Sequence, residues 1–143
     1  MNKFLLPILL SGILCSCTCT KLPMAADGIV RLSKIEVYPE YLEEYLEYAI
    51  RVGEISLRTE PGVLTMYAVS EKENPCMVTI LETYASQAAY QAHISSAHFQ
   101  EYKQKTLHMV KSLVLSDQTP LNPKNQIVNY TPVRDKILFI KSW

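Results

Sequence analysis

Glu82-Thr83-Tyr84-Ala85-Ser86-Gln87-Ala88-Ala89-Tyr90-Gln91-Ala92-His93-Ile94-Ser95-Ser96-Ala97-His98-Phe99 decides the fold, because its hydrophobic period changes partway along. Just ahead of it and into it, residues 77–84 alternate as a strand does. From Ser86 onward the spacing is helical: Ser86 suits an N-cap, and Ala89, Tyr90 and His93 follow it on a short helix. Ser95-Ser96 interrupts that helix and can cap a second one, in which Phe99, Tyr102, Thr106, Val110 and Leu113 keep a helical period. Residues 113–116 then turn into a strand, ending the helix slightly earlier. Two of the chain's three histidines, His93 and His98, fall where strand hands over to helix. Titratable groups so placed are candidates for proton chemistry.

Outward from this stretch the remaining elements are plain. Residues 63–70 alternate like 77–84, and the polar loop 71–75 joins the two as a hairpin. Pro61-Gly62 stops a helix over residues 40–60, whose Leu42, Tyr45, Leu46, Ala49, Gly53, Ser56 and Leu57 recur at spacings of three and four. Gly53, Ala49 and Ser56 make its buried face narrow, so the helix either lies close on the sheet or leaves a ligand space beside it. Ile29, Arg31, Ser33, Ile35 and Val37 share one face of a first strand, which Tyr38-Pro39 ends. The order is β-α-β-β-α-β, an α+β class chain with the ferredoxin-like split unit. Beyond it, Pro120, Asn122, Pro123 and Asn125 read as a linker, and residues 127–131 and 137–140 as extra strands for an edge of this sheet or a partner's.

Composition narrows the function. The 143 residues carry zero formal charge and are 48% hydrophobic, which fits one small domain with extensions. Lys and Arg are scattered, so there is no nucleic-acid footprint. No glycine spacing cradles a phosphate, and no Cys/His spacing suggests a metal site. Cys76 opens an apolar strand and reads as a small buried hydrophobe.

The N-terminus resembles a bacterial lipoprotein signal. Lys3 precedes an apolar run, residues 4–14, too short for a bilayer span of about 20 residues. Leu14-Cys15-Ser16-Cys17 has a Leu three before the acceptor and a small residue just before it. By that resemblance residues 1–16 are a signal peptide, Cys17 is the lipidated first residue, and residues 17–27 are a tether. The implied location is the cell envelope, periplasm-facing or on the outer membrane.

Glu82-x-Tyr84-x-Ser86, Ala-x-x-Ala-His93 and Ser-x-x-His98-Phe99 together resemble the antibiotic biosynthesis monooxygenase family, most closely its quinol monooxygenase branch. The turn and strand Glu60-Pro-Gly-Val-Leu-x-x-Tyr67 and the lead-in Val37-Tyr-Pro extend the likeness over residues 28–120, leaving 121–143 as an extension. The resemblance implies a dimeric α+β barrel, a homodimer packed sheet on sheet, with a pocket between each sheet and its helices. It implies oxidation of an aromatic small molecule, quinol-like or phenolic, by molecular oxygen without metal or cofactor. The deprotonated substrate is then the reductant. A phenolic hydroxyl ionises near 10 and a free His near 6.5, a gap of roughly 3.5 units or about 5 kcal/mol. Donors around the developing oxyanion and exclusion of water must cover that gap.

His93 is the catalytic base that the resemblance implies; as plain structure it is a hydrogen-bonded core histidine. Glu82 either orients it or points to solvent. On an unbroken helix His98 would lie about 140° from His93 at 100° per residue. The serine break either reunites the rings or leaves His98 as a cap or interface residue. Tyr67, Tyr84, Tyr90 and Arg31 are candidate donors or pocket walls, and His108 faces solvent. The competing reading is a non-catalytic dimeric binding or assembly module whose pocket is filled by Met66, Leu81 and Phe99. Heme degraders and signalling-sugar isomerases of this fold rank lower, since the one Trp is Trp143, no Asn lies in the first strand and no basic cluster awaits a phosphate.

Overall fold

The computed structural model describes residues 19–122. The signal segment, Cys17 and the strands expected at 127–131 and 137–140 lie outside the described residues. The order is β1 (Ile29–Val37), a 3-10 turn (Pro39–Tyr41), α1 (Leu42–Thr59), β2 (Val63–Ser70), β3 (Met77–Tyr84), α2 (Gln87–Ser95), α3 (Ala97–Thr106) and β4 (Val110–Asp117). The strands form one antiparallel sheet in the order β2-β3-β1-β4, so the α+β ferredoxin-like fold is as expected. No helix among the described residues is long and apolar enough to cross a membrane.

Pro39 presets the turn that starts α1, as its fixed φ suits a helix entrance. The face of α1 that the sheet covers includes Tyr45, Val52, Gly53 and Ser56. Val52 was not among the expected face residues. At Gly53 the helix packs on the sheet with no closer approach than a side chain allows: an added Cβ would stand 3.8 Å from Met66 Cγ, an ordinary contact. The narrow face thus lies in contact with β2 through Met66. Ser86 and Ser96 cap α2 and α3 by accepting from the amides of Ala89 and Phe99, so the double-serine break lies where the sequence places it. The second helix ends sooner than its period suggests. Val110 and Leu113 belong to β4, because pairing Val37 with Val110 and Ile35 with Leu113 completes the sheet, a gain that local periodicity does not contain.

Under the N-terminal half of α1, Ile35, Val37, Tyr45, Val78 and Met109 form the apolar core. Strand alternation puts Leu32, Leu81 and Tyr67 on the opposite side of the sheet, in register across three strands. Leu81 therefore does not fill the space between sheet and helices. Tyr67, Val69 and Val114 on that side are about half exposed (55%, 48% and 56%).

Candidate functional site

At the C-terminal end of α1, the sequence first sets a problem. A helix ends in unpaired carbonyls and a partial negative charge, yet Glu60 is the C-cap residue there. Such a carboxylate needs positive or donating neighbours. Pro61 and Gly62 turn the chain, and Gly62 has no Cβ for a reason: one would stand 2.4 Å from Ala89 Cβ. The turn can therefore lie against α2, and Glu60 reaches the histidines. Its Oε1 is 3.0 Å from His93 Nδ1 and 2.6 Å from His98 Nε2. Ser96 Oγ lies 3.1 Å from the same His98 nitrogen.

The break at Ser95-Ser96 thus folds the two rings back together, with centroids 6.3 Å apart. His93 is 1% exposed and packs against Phe99 and Tyr84, centroids 4.7 and 5.4 Å away. Burial works to raise the Glu60 pKa, but the hydrogen bonds from His93 and His98 outweigh it and hold the carboxyl below its ordinary value. With Glu60 ionised, an acceptor only, Nδ1 of His93 donates to it, and in the neutral form of that ring the lone pair resides on Nε2. No hydrogen bond to Nε2 forms among the described residues. No buried polar side-chain atom among them lacks a partner, so Nε2 keeps a sliver of accessible surface.

The remaining expected residues divide by face. Glu82 does not orient His93; Glu60 does. Glu82 Oε2 instead accepts from Tyr84 Oη at 2.7 Å, two positions along the same strand. Tyr84 packs edge-on to Tyr90, and the Arg31 guanidinium lies 4.6 Å from the Tyr90 ring centre while Nε donates to Asp117 at 2.6 Å. Glu82, Tyr84, Tyr90 and Arg31 therefore gather with His93 on the helix side of the sheet. Tyr67, on the other side, does not join them. His98 lines a shallow open cleft between α1 and α3, with Arg51, Glu101 and Tyr102. His108 is exposed, edge-on to Tyr41.

Sequence reasoning missed three members of this site. Glu60 had one signal, an acidic residue at a helix C-terminus, where the dipole opposes it. Tyr45 and Tyr102 share a hydrogen bond of 2.8 Å between their hydroxyls. Burial, with Glu82 nearby, pushes the pKa of Tyr45 and of Tyr102 up, and burial with the Glu82 charge does the same for Tyr84. These phenols stay protonated and can donate.

Ligand-type atoms of Glu60, His93 and His98 lie within 4.8 Å of one another, a grouping hidden by 33 and 38 intervening positions. A metal-bound histidine normally donates its other N–H to a carbonyl or carboxylate. His93 bound through Nδ1 would leave Nε2–H without such an acceptor. The donor set fits a proton-handling pair better than a metal.

The sequence model of antibiotic biosynthesis monooxygenases matches residues 28–105. The chain belongs to this family. A candidate antibiotic biosynthesis monooxygenase of Bacteroides thetaiotaomicron, solved as a crystal structure, is 53% identical over 71% of this chain and 97% of its own, with a TM-score of 0.70. A candidate monooxygenase of Lactobacillus acidophilus is 28% identical over 66% of this chain but 45% of its own, TM-score 0.63. A Nitrosomonas europaea protein at 19% identity and TM-score 0.63 shares the fold, over 71% of this chain and 98% of its own. No curated protein matches the chain significantly.

Proposed function

We propose that this family member is a cofactor-independent monooxygenase oxidising a quinol-like or phenolic small molecule with molecular oxygen. The observation that carries the reading is the Glu60–His93 pair, with Nδ1 held at 3.0 Å and no partner for Nε2 among the described residues. A carboxylate that accepts from one imidazole nitrogen fixes the tautomer that presents the other as base and stabilises the imidazolium that forms. In the proposed reaction His93 Nε2 takes the substrate hydroxyl proton, and the phenolate supplies the electrons that oxygen accepts. One oxygen atom ends in the product and the other in water. The protonated Tyr45–Tyr102 pair, which shares one hydroxyl proton between its members, has a second to donate to the developing charge. Purified protein of residues 19–143 is expected to consume oxygen with a hydroquinone or naphthol, and His93→Ala to abolish it; equal rates would remove His93 from the mechanism.

A second reading, a non-catalytic binding or assembly module, is favoured by how tightly Phe99 and Tyr84 cover His93. Absence of both ligand binding and oxygen uptake across a panel of quinols and naphthols would select it.

Two further parts belong to the proposal. The half-exposed Tyr67, Val69 and Val114 on the outer side of the sheet support a homodimer packed sheet on sheet, which light scattering of the purified protein tests. The Leu14-Cys15-Ser16-Cys17 pattern supports export and lipid attachment at Cys17. Cys17→Ala is then expected to move the protein out of the membrane fraction.

A further inference from the structure

Residues 21–27 bind across the very segments that carry Glu60 and His93. Lys21 Nζ donates to the carbonyls of Leu57 at 2.5 Å and Glu60 at 2.9 Å. The Leu22 amide donates to the Pro61 carbonyl at 3.0 Å, and the Ala25 amide to the Ala85 carbonyl at 2.7 Å. Asp27 Oδ2 accepts from the Gln87 amide, 3.2 Å away, at the first residue of α2. One short segment therefore ties the end of α1 to the start of α2. It precedes residue 28, where the match to the family begins.

The electrostatics give the segment a role beyond tethering. The last turn of α1 presents unpaired carbonyls, and the Glu60 carboxylate adds a full negative charge beside them. The histidines satisfy the carboxylate. The main-chain side of the same residue is satisfied by the Lys21 ammonium, which closes the carbonyl ends and sets a positive charge against the turn. Lys21 holds this place although burial lowers its pKa, an effect that the charges of Cys19 and then Glu60 oppose. Without that ammonium the Glu60 turn loses two hydrogen bonds and a countercharge, while the carboxylate must still meet two imidazoles within hydrogen-bonding distance.

We infer that residues 21–27 form a strap belonging to the site, in which Lys21 is a positioning residue that holds Glu60 against His93. The inference rests on the proposed role of Glu60 and His93, but its test does not depend on turnover. In the chain of residues 19–143, the Nδ1 proton of His93 is held by Glu60 and sheltered from water, so ring-nitrogen NMR detects it directly. Lys21→Met is expected to broaden or abolish that signal, and Lys21→Arg to retain it. Asp27→Ala, which touches only the start of α2, keeps the signal. Where a quinol substrate is turned over, Lys21→Met also lowers kcat by about ten- to a hundredfold, the scale of a misplaced catalytic group, with little change in KM, and Lys21→Arg restores it. Should Lys21→Met not fold, Lys21→Gln, which keeps an N–H donor without the charge, takes its place with the same expected loss. A wild-type His93 signal in the folded Met or Gln variant overturns the strap. So does a chain starting at residue 28 that keeps the signal. Absence of oxygen uptake in the wild-type protein overturns the proposed monooxygenase instead, and leaves the NMR result to decide the strap.

Discussion

Helix α1 lies over two unlike ends of the same sheet. Its N-terminal half covers Ile35, Val37, Val78 and Met109, an apolar cluster held by area removed from water. Its C-terminal end delivers Glu60 into contact with His93 and His98, held by directional bonds around a charge. The first arrangement stabilises with little dependence on geometry. The second contributes little net stability, because taking a carboxylate out of water offsets much of what its partners return. One helix thus anchors the fold at one end and carries the candidate site at the other.

The sharpest way to break this comparison is to exchange the effects. Ile35→Ala is expected to cost about 2–5 kcal/mol in denaturant unfolding and to leave the oxygen-uptake rate per folded molecule unchanged. His93→Gln is expected to lose roughly 10²–10⁴-fold in rate with a much smaller stability cost. If both variants lose stability alike and rate alike, the two ends are not functionally distinct.

The turn between the ends gives the next largest effect. Gly62→Ala drives a methyl group into Ala89 and is expected to destabilise by about 1–3 kcal/mol, the usual cost of overpacking. It also moves Glu60 away from His93, which the loss of the sheltered ring proton would report.

A smaller effect is the acid dependence of stability. The Glu60 carboxyl is held below its ordinary value in the folded protein. Its contribution is therefore present above the unfolded carboxyl pKa, about 4.3, and is lost as pH falls through the lower folded value. The stability difference between the wild type and Glu60→Gln should shrink across that acidic window. An unchanging difference would show that the histidine bonds do not favour the ionised form.

The smallest expected change is a gain. A Cβ at Gly53 meets Met66 at an ordinary contact distance, so Gly53→Ala should stabilise by up to about 1 kcal/mol through helix propensity. A loss would mean that the sheet needs the closer approach.

Much of the frame was legible in the residues. Period-two runs set β1, β2 and β3, three- and four-residue spacing set α1, and Ser86 and Ser96 fixed the starts of α2 and α3, because each signal is local. The start of β4 was not legible: the strand was read from Leu113, while Val110 continues a helical spacing and only pairing with β1 recruits it. The site divides in the same way. His93, His98, Glu82, Tyr84, Tyr90 and Arg31 were recognisable by type and place, but Glu60 was overlooked as part of a Pro-Gly turn.

By itself the sequence determined the strand and helix periods, the serine break, the family pattern and the histidine proposed as base. Those are properties of neighbours along the chain. Tertiary structure alone decided which carboxylate meets that histidine. Glu60 and His93 stand 33 positions apart, and the fold, with Gly62 packed on Ala89 of α2 where a Cβ would collide, brings them within one hydrogen bond.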